Sequence, residues 1–253
     1  MIFARTLPYI PQRIVSLVPS QTELLFDLGL GSRVVGVTKF CVHPAAALPT
    51  KPVAGGTKNF RFEVIEKLQP DLILANKEEN YQEGIERLAE KFPVWMSDIH
   101  DLPDALEMIG TVGRLTHTQP AAEAMVADIR SRFTALVPAN GLRVAYLIWQ
   151  HPLMAVGSRT FIHDMLTRAG YANVFADRTR YPEITPEDLH AAAPDWIFLS
   201  SEPFPFREKH LTELARNHPN SRVQLVDGEM FSWYGSRLLQ TPGYLERLRL
   251  SLA

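Results

Sequence analysis

The sequence predicts an α/β protein of two Rossmann-like lobes, each with a parallel sheet, joined by a single long helix. Three observations carry that expectation. The segment Glu63 to Leu74 and the segment Glu187 to Leu199 each place a glutamate seven residues before Pro-Asp and then run into a short apolar strand, as an internal duplication would. Strand and helix patterns alternate on either side of the stretch Arg114 to Val137, which is the signature of strand–helix–strand units. Within that stretch Val126, Ile129, Phe133 and Leu136 recur at helical spacing after Pro120, and Pro138, Asn140 and Gly141 end it. About eighteen helical residues span roughly 27 Å, enough to bridge two lobes. The boundaries expected are 1–113 for the first lobe, 114–138 for the linking helix and 139–253 for the second lobe.

Each element has a local reason. Arg13 to Val18 is a β-rich apolar run that Pro19 breaks, opening a helix through Leu24, Leu25 and Leu28; Gly29 and Gly31 close it, and Val34 to Val37 follows as a strand. Thr38 to Asn59 is a long proline- and glycine-bearing loop, of a length that usually has a function. Phe62 to Leu68 reads as helix, 71–75 as strand, 81–91 as helix, 94–96 as strand and 102–115 as helix. The second half repeats the order. It has a strand at 143–149, a helix at 160–169, a short extended piece at 173–175, a helix capped by Thr185-Pro186, a strand at 196–199, a helix at 209–217, a strand at 223–226, a loop at 227–235 and a last helix at 242–250.

Bulk properties exclude several classes. With 253 residues, 46% of them hydrophobic, the chain can fill two cores. A net charge of -2 with scattered basic residues excludes a nucleic-acid partner, and one cysteine excludes an internal disulfide framework. No run reaches the ~18 apolar residues of a membrane span. Residues 1–12 lack the apolar core of a signal peptide, which keeps a cytoplasmic location open.

Ligands of open parallel sheets sit beyond the carboxyl ends of the strands. The loops there are rich in aromatic residues: Phe40, Phe60, Tyr81, Trp149, Tyr181, Phe204, Phe206, Phe231, Trp233 and Tyr234. Aromatics in wet loops suit a cleft for a large, flat, partly apolar ligand. His43 and His151 lie in the same loops and are candidate polar contacts. Glu63 and Glu187 hold equivalent places at the starts of equivalent helices, where the helix dipole favours acids; as a pair they also suit a two-fold symmetric basic partner. Catalytic signals are thin. Gly29-Leu30-Gly31 follows a helix instead of opening one, Val34 replaces the third glycine of a dinucleotide motif, and no G-x-S-x-G, P-loop or H-E-x-x-H occurs. Cys41 with His43 is half a metal site at most, so no catalytic residue and no protein-held metal are expected. An enzyme reading would rest on Glu78, Glu79 or Asp227.

The run Ile14-Val15-Ser16-Leu17-Val18-Pro19-Ser20-Gln21-Thr22-Glu23-Leu24-Leu25, with Leu28-Gly29, Val34 to Thr38, Gly55-Gly56 and Glu63 to Leu74, resembles the substrate-binding proteins of ABC importers for cobalamin, haem and iron-siderophores, the vitamin B12-binding branch above all. The resemblance covers nearly the whole chain. It implies the fold of helical-backbone metal receptors, a monomer without catalysis or cofactor, and a cobalt or iron chelate held in the interlobe cleft by aromatic stacking. It also implies a periplasmic or cell-surface location and an ABC permease dimer as partner, gripped by Glu63 and Glu187. Phe40, Trp149, Tyr181 and Trp233 fall where the family contacts its ligand, and Tyr81, His151 or Tyr181 would face the iron of a haem. The alternative ligands are haem and ferric siderophores; a further alternative is an intracellular corrinoid or tetrapyrrole carrier. Lys39 and His43 stand where neutral or aromatic residues would suit cobalamin.

Overall fold

The computed structural model describes residues 7–139 and 141–252. The chain forms two compact units. The first takes the residues up to Ile99, Pro103–Ile129 and Tyr234–Arg237, and the second takes His100–Leu102, Arg130–Trp233 and the residues from Leu238.

In the first unit the order is β1 (Ile14–Ser16), α1 (Pro19–Asp27), β2 (Val34–Val37), β3 (Gly55–Gly56), β4 (Asn59–Phe60), α2 (Phe62–Leu68), β5 (Leu72–Asn76), α3 (Gln82–Ala89), β6 (Val94–Ser97) and α4 (Leu102–Thr116). Its sheet runs β2-β1-β5-β6, parallel throughout. Val15, Leu17, Ile65, Ile73, Ile85 and Leu88 form the core. Gly29, at φ +76°, ends α1: its amide and that of Leu30 donate back to the carbonyls of Phe26 and Leu25. The loop expected over 38–59 holds a small hairpin instead, β3 with β4, where Gly55 is required because a Cβ there would sit 2.3 Å from the Asn59 carbonyl oxygen.

The single helix expected over 114–137 is two helices. α4 ends at Thr116 and α5 spans Gln119–Thr134. His117 takes φ +59°, and the amides of Thr118 and His117 close back on the carbonyls of Gly113 and Arg114, the left-handed helix ending that glycine usually provides. A histidine in that role leaves little trace in the sequence.

The second unit contains β7 (Arg143–Trp149), β8 (Met154–Ala155), α6 (Phe161–Arg168), β9 (Ala172–Asn173), α7 (Pro186–Ala192), β10 (Trp196–Ser200), α8 (Glu208–Asn217), β11 (Arg222–Val226), α9 (Glu229–Ser232) and α10 (Thr241–Ser251). Strands β11, β10 and β7 are parallel. The other edge of β7 is shared by β9, parallel to its first residues, and β8, antiparallel to its last. The core gathers Leu147, Phe175, Leu189, Ile197 and Leu199. The stretch 227–235, expected as loop, contains α9.

The duplicated Pro-Asp joint has one construction in both units. Gln69 and Ala193, at φ +44° and +42°, cap α2 and α7 in the left-handed region just before the proline. Asp71 then accepts from the Arg13 amide at 2.8 Å, and Asp195 accepts from the Arg143 amide at 2.8 Å. The same two arginines donate through their guanidinium groups to the last helical carbonyls, Arg13 to Leu68 and Arg143 to Ala192, both at 2.6 Å. Each joint therefore locks the start of the first strand of its unit to the end of a helix.

Candidate ligand-binding and docking residues

At the strand ends of the first unit a buried polar layer holds the loops. The Asn80 amide group donates to the carbonyls of Leu17 and Thr57 at 3.1 and 3.0 Å, and its oxygen accepts from the Asn76 backbone at 2.9 Å. Asn76 and Gln21 both donate to the Ser97 hydroxyl, at 3.1 and 2.6 Å. Thr22 bonds Ser16 at 2.8 Å and lies 3.1 Å from the Cys41 sulfur, which Thr38 approaches at 3.3 Å. Burial pushes the Cys41 thiol up, so it stays protonated and serves packing. That these residues join in one layer is not legible in the sequence, because partners lie as far as 76 positions apart.

On top of that layer Phe40 is 50% exposed and the neighbouring Val42 is exposed as well. The Lys39 ammonium lies 4.9 Å from the centre of the Phe40 ring. His43 is half-buried and lies near Glu23. Other aromatics of this unit point inward, against the expectation that they face a ligand. Phe60 is 4% exposed and packs against Tyr81, ring centres 4.8 Å apart, within the core. Two-residue β4 turns Phe60 under the sheet, and Gly84 leaves the room that the Tyr81 ring fills. Tyr234, which belongs to this unit, is buried too.

In the second unit Trp149, at the end of β7, is 37% exposed. Its indole N–H donates to the His151 carbonyl at 3.0 Å, and its ring meets Phe204 edge-on at 5.5 Å. Phe204 rests in turn on Phe206 at 4.7 Å. Trp149 is thus an aromatic face braced from below. Tyr181 is half-buried with the Arg180 guanidinium 5.5 Å from its ring. Trp233 is 6% exposed: α9 turns it inward, where its N–H donates to Glu202 at 2.9 Å beside the Ser232 hydroxyl. Burial pushes the Glu202 carboxyl up. Trp233 is therefore a partner of a buried acid, not a free stacking surface.

Glu63 stands in the first turn of α2, 66% exposed at its side chain, with the Arg61 Nε 3.4 Å away. Glu187 stands in the first turn of α7, exposed, on a helix start fixed by a capping box of Thr185 with Asp188. The Arg178 guanidinium, 2.7 Å from Asp188, holds that carboxyl down to about 2. Glu187 also lines a pocket of about 700 Å³ between α7, α8 and the 150–153 turn. Of the acids of the enzyme reading, Asp227 accepts from the Glu229 amide, and the backbone amides of Glu78 and Glu79 donate to the Asn76 side chain. Among the described residues no group of three or more His, Cys, Asp or Glu could hold a metal ion, and no helix is long and apolar enough to cross a membrane.

Each unit thus has a sheet of mainly parallel strands and an exposed aromatic residue beyond a strand end. The chain belongs to the periplasmic binding protein family, whose model matches residues 14–223. Proteins of this family bind and deliver substrates and are not enzymes. The chain is 28% identical over 246 residues to the vitamin B12-binding protein of Pectobacterium atrosepticum, covering 91% of this chain and 85% of that one. It is similar in structure to a periplasmic heme-binding protein, BhuT, solved with two hemes, at 26% identity and a TM-score of 0.82 over 95% of this chain and 99% of that one. The fold is shared with the periplasmic vitamin B12-binding protein BtuF of Vibrio cholerae, at 21% identity and a TM-score of 0.77 over 97% and 99% of the two chains.

Proposed function

We propose that this chain captures a cobalt- or iron-bearing chelate, of the corrinoid or tetrapyrrole kind, and delivers it unchanged to an ABC importer from the periplasmic side. The observation that carries the reading is the pair of exposed aromatic residues, Phe40 in one unit and Trp149 in the other, each beyond the end of a parallel strand and each braced by neighbours. Such rings stack on a flat macrocycle with little loss of rotamer freedom. The vitamin B12-binding relatives support a corrinoid. Of the expected contacts, Phe40, Trp149 and His151 are exposed, and His43, Tyr81, Tyr181 and Phe204 are half-buried. Glu63 and Glu187 are the docking acids for the permease, each in the first turn of its helix.

A second reading has one observation of its own. Lys39, held over Phe40, suits a chelate with carboxylates, such as haem or a ferric siderophore, better than a corrin rimmed by neutral amides. Thermal unfolding with cyanocobalamin, cobinamide, haemin and a ferric hydroxamate separates the two, because a ligand that binds only the folded protein raises the midpoint by mass action. The corrinoid reading expects a rise with the two cobalt compounds. A rise with haemin or the hydroxamate alone selects the second reading, and no rise with any of the four overturns both.

A further inference from the structure

The two glycines of β3 owe their places to different neighbours. Gly55 takes φ +103°, and a Cβ there would strike the Asn59 carbonyl, so the hairpin itself requires glycine. Gly56 has no positive φ and pairs with Asn59 in ordinary antiparallel register, so the backbone at that position does not call for glycine. Its need comes from above. Gly56 is buried, and a Cβ built on it would lie 3.3 Å from Cε2 of Phe40 and 3.5 Å from Cε of Lys39, with no other described atom beyond its chain neighbours within 4 Å. Carbon atoms pack best about 3.5–4.0 Å apart. The lysine stem would therefore accept a methyl group where it stands, whereas the Phe40 ring would have to move. The shelf under that ring is fixed from below. Phe60 enters the core, and the Asn80 amide group ties the Thr57 carbonyl in the hairpin turn to the Leu17 carbonyl, at 3.0 and 3.1 Å. The chain on either side of the ring is pinned as well. The Lys39 amide donates to the Gly55 carbonyl at 2.9 Å, the Phe40 amide donates to the Thr38 hydroxyl at 3.3 Å, and Cys41 is buried with its sulfur 3.1 Å from the Thr22 hydroxyl.

We propose that Gly56 is a positioning residue of the chelate site: having no side chain, it lets the Phe40 ring lie on the hairpin at one height and one tilt, as a stacking face. The inference rests on the stacking part of the proposed function and assigns to it a residue that acts through another. Phe40 is 50% exposed and stands outside the core cluster of its unit, so the shelf at Gly56 bears on where the ring stands. A binding group has to be held within about 0.5 Å of its productive place. A Cβ at position 56 intrudes on the ring by a few tenths of an ångström, and the two further methyl groups of a valine lift it off the shelf. Lys39 is the less sensitive neighbour, because its flexible stem reaches the same region from several rotamers. The glycine therefore answers to the ring.

The test is a double-mutant cycle on the full chain, Gly56→Val with Phe40→Ala, read by isothermal titration with cyanocobalamin, haemin and a ferric hydroxamate and by the unfolding midpoint of the free protein. Gly56→Val is expected to weaken binding of the chelate that the parent protein takes up about tenfold, with the midpoint unchanged. In the Phe40→Ala background it should cause no further loss, because the ring through which it acts is gone. Gly56→Ala is expected to lose about threefold in the same pattern, and it carries the cycle if Gly56→Val lowers the midpoint. Equal losses in both backgrounds overturn the proposal, since Gly56 then acts on the fold or on another contact. Unchanged affinity in both Gly56 variants with weakened binding in Phe40→Ala also overturns it and leaves the stacking reading in place. Unchanged affinity in Phe40→Ala, or no saturable binding of any of the three chelates to the parent protein, overturns the inference together with the reading beneath it.

Discussion

Phe40 and Trp149 are individual side chains whose exposure has no structural return, and the first prediction concerns them. Neither belongs to a core cluster, and Trp149 uses its indole N–H on the backbone of its own turn. Phe40→Ala and Trp149→Ala should each weaken chelate binding about ten- to thirtyfold, roughly 1.4–2 kcal/mol, with the unfolding midpoint of the free protein unchanged. Isothermal titration checks it, and unchanged affinity in both variants would remove the stacking site. The same scale shows how far the residues could be read from sequence. An aromatic residue in a loop is legible as a candidate, yet whether it faces water depends on the few residues around it. Trp233 is drawn inward by a one-turn helix onto Glu202, and Phe60 by a hairpin too short to leave an alternation signal.

Elements were more legible than side chains, because periodicity and the Pro-Asp joints repeat over many residues while a contact depends on two. The helices and strands flanking each joint follow from apolar spacing, whereas the arginines that tie the joint together, Arg13 and Arg143, act 55 and 49 positions away from the carbonyls they hold. The duplication makes a paired prediction. Arg13→Ala and Arg143→Ala should each cost about 1–2 kcal/mol by removing a charged donor from a helix end, and the two losses should add because the sites belong to different units. Denaturant unfolding of both singles and the double checks it; a loss in only one variant would break the structural equivalence. A second element, α1, is bound to the 234–237 segment through Glu23 and Arg237, 2.7 Å apart and both buried. Burial, which pushes the Glu23 carboxyl up, outweighs the stabilising arginine and nearby His43. Glu23→Leu or Arg237→Leu alone should therefore cost about 3–5 kcal/mol by stranding the other charge, and the double variant markedly less than the sum. Additive losses in that cycle would mean the pair does not interact.

At the scale of the whole molecule, capture and delivery make separable demands on the surface. In the proposed function capture would use the strand-end loops with Phe40 and Trp149, while delivery would use the first turns of α2 and α7, the helices whose far ends feed the Pro-Asp joints. Those helix starts were legible as a repeat because a glutamate recurs at one spacing; the groove beside Glu187 was not, since its walls come from segments as far as 68 positions apart, from Gln150 to His218. Glu63 and Glu187 are solvent-exposed, so replacing them should not disturb either core. Glu63→Arg combined with Glu187→Arg is therefore expected to leave the chelate-induced rise in unfolding midpoint as it is while abolishing uptake in cells, because two like charges against a basic partner cost several kcal/mol. Each single reversal should lower uptake. A variant that loses binding along with uptake would place these acids in the ligand site. One that keeps both would mean that the partner reads another face of the protein.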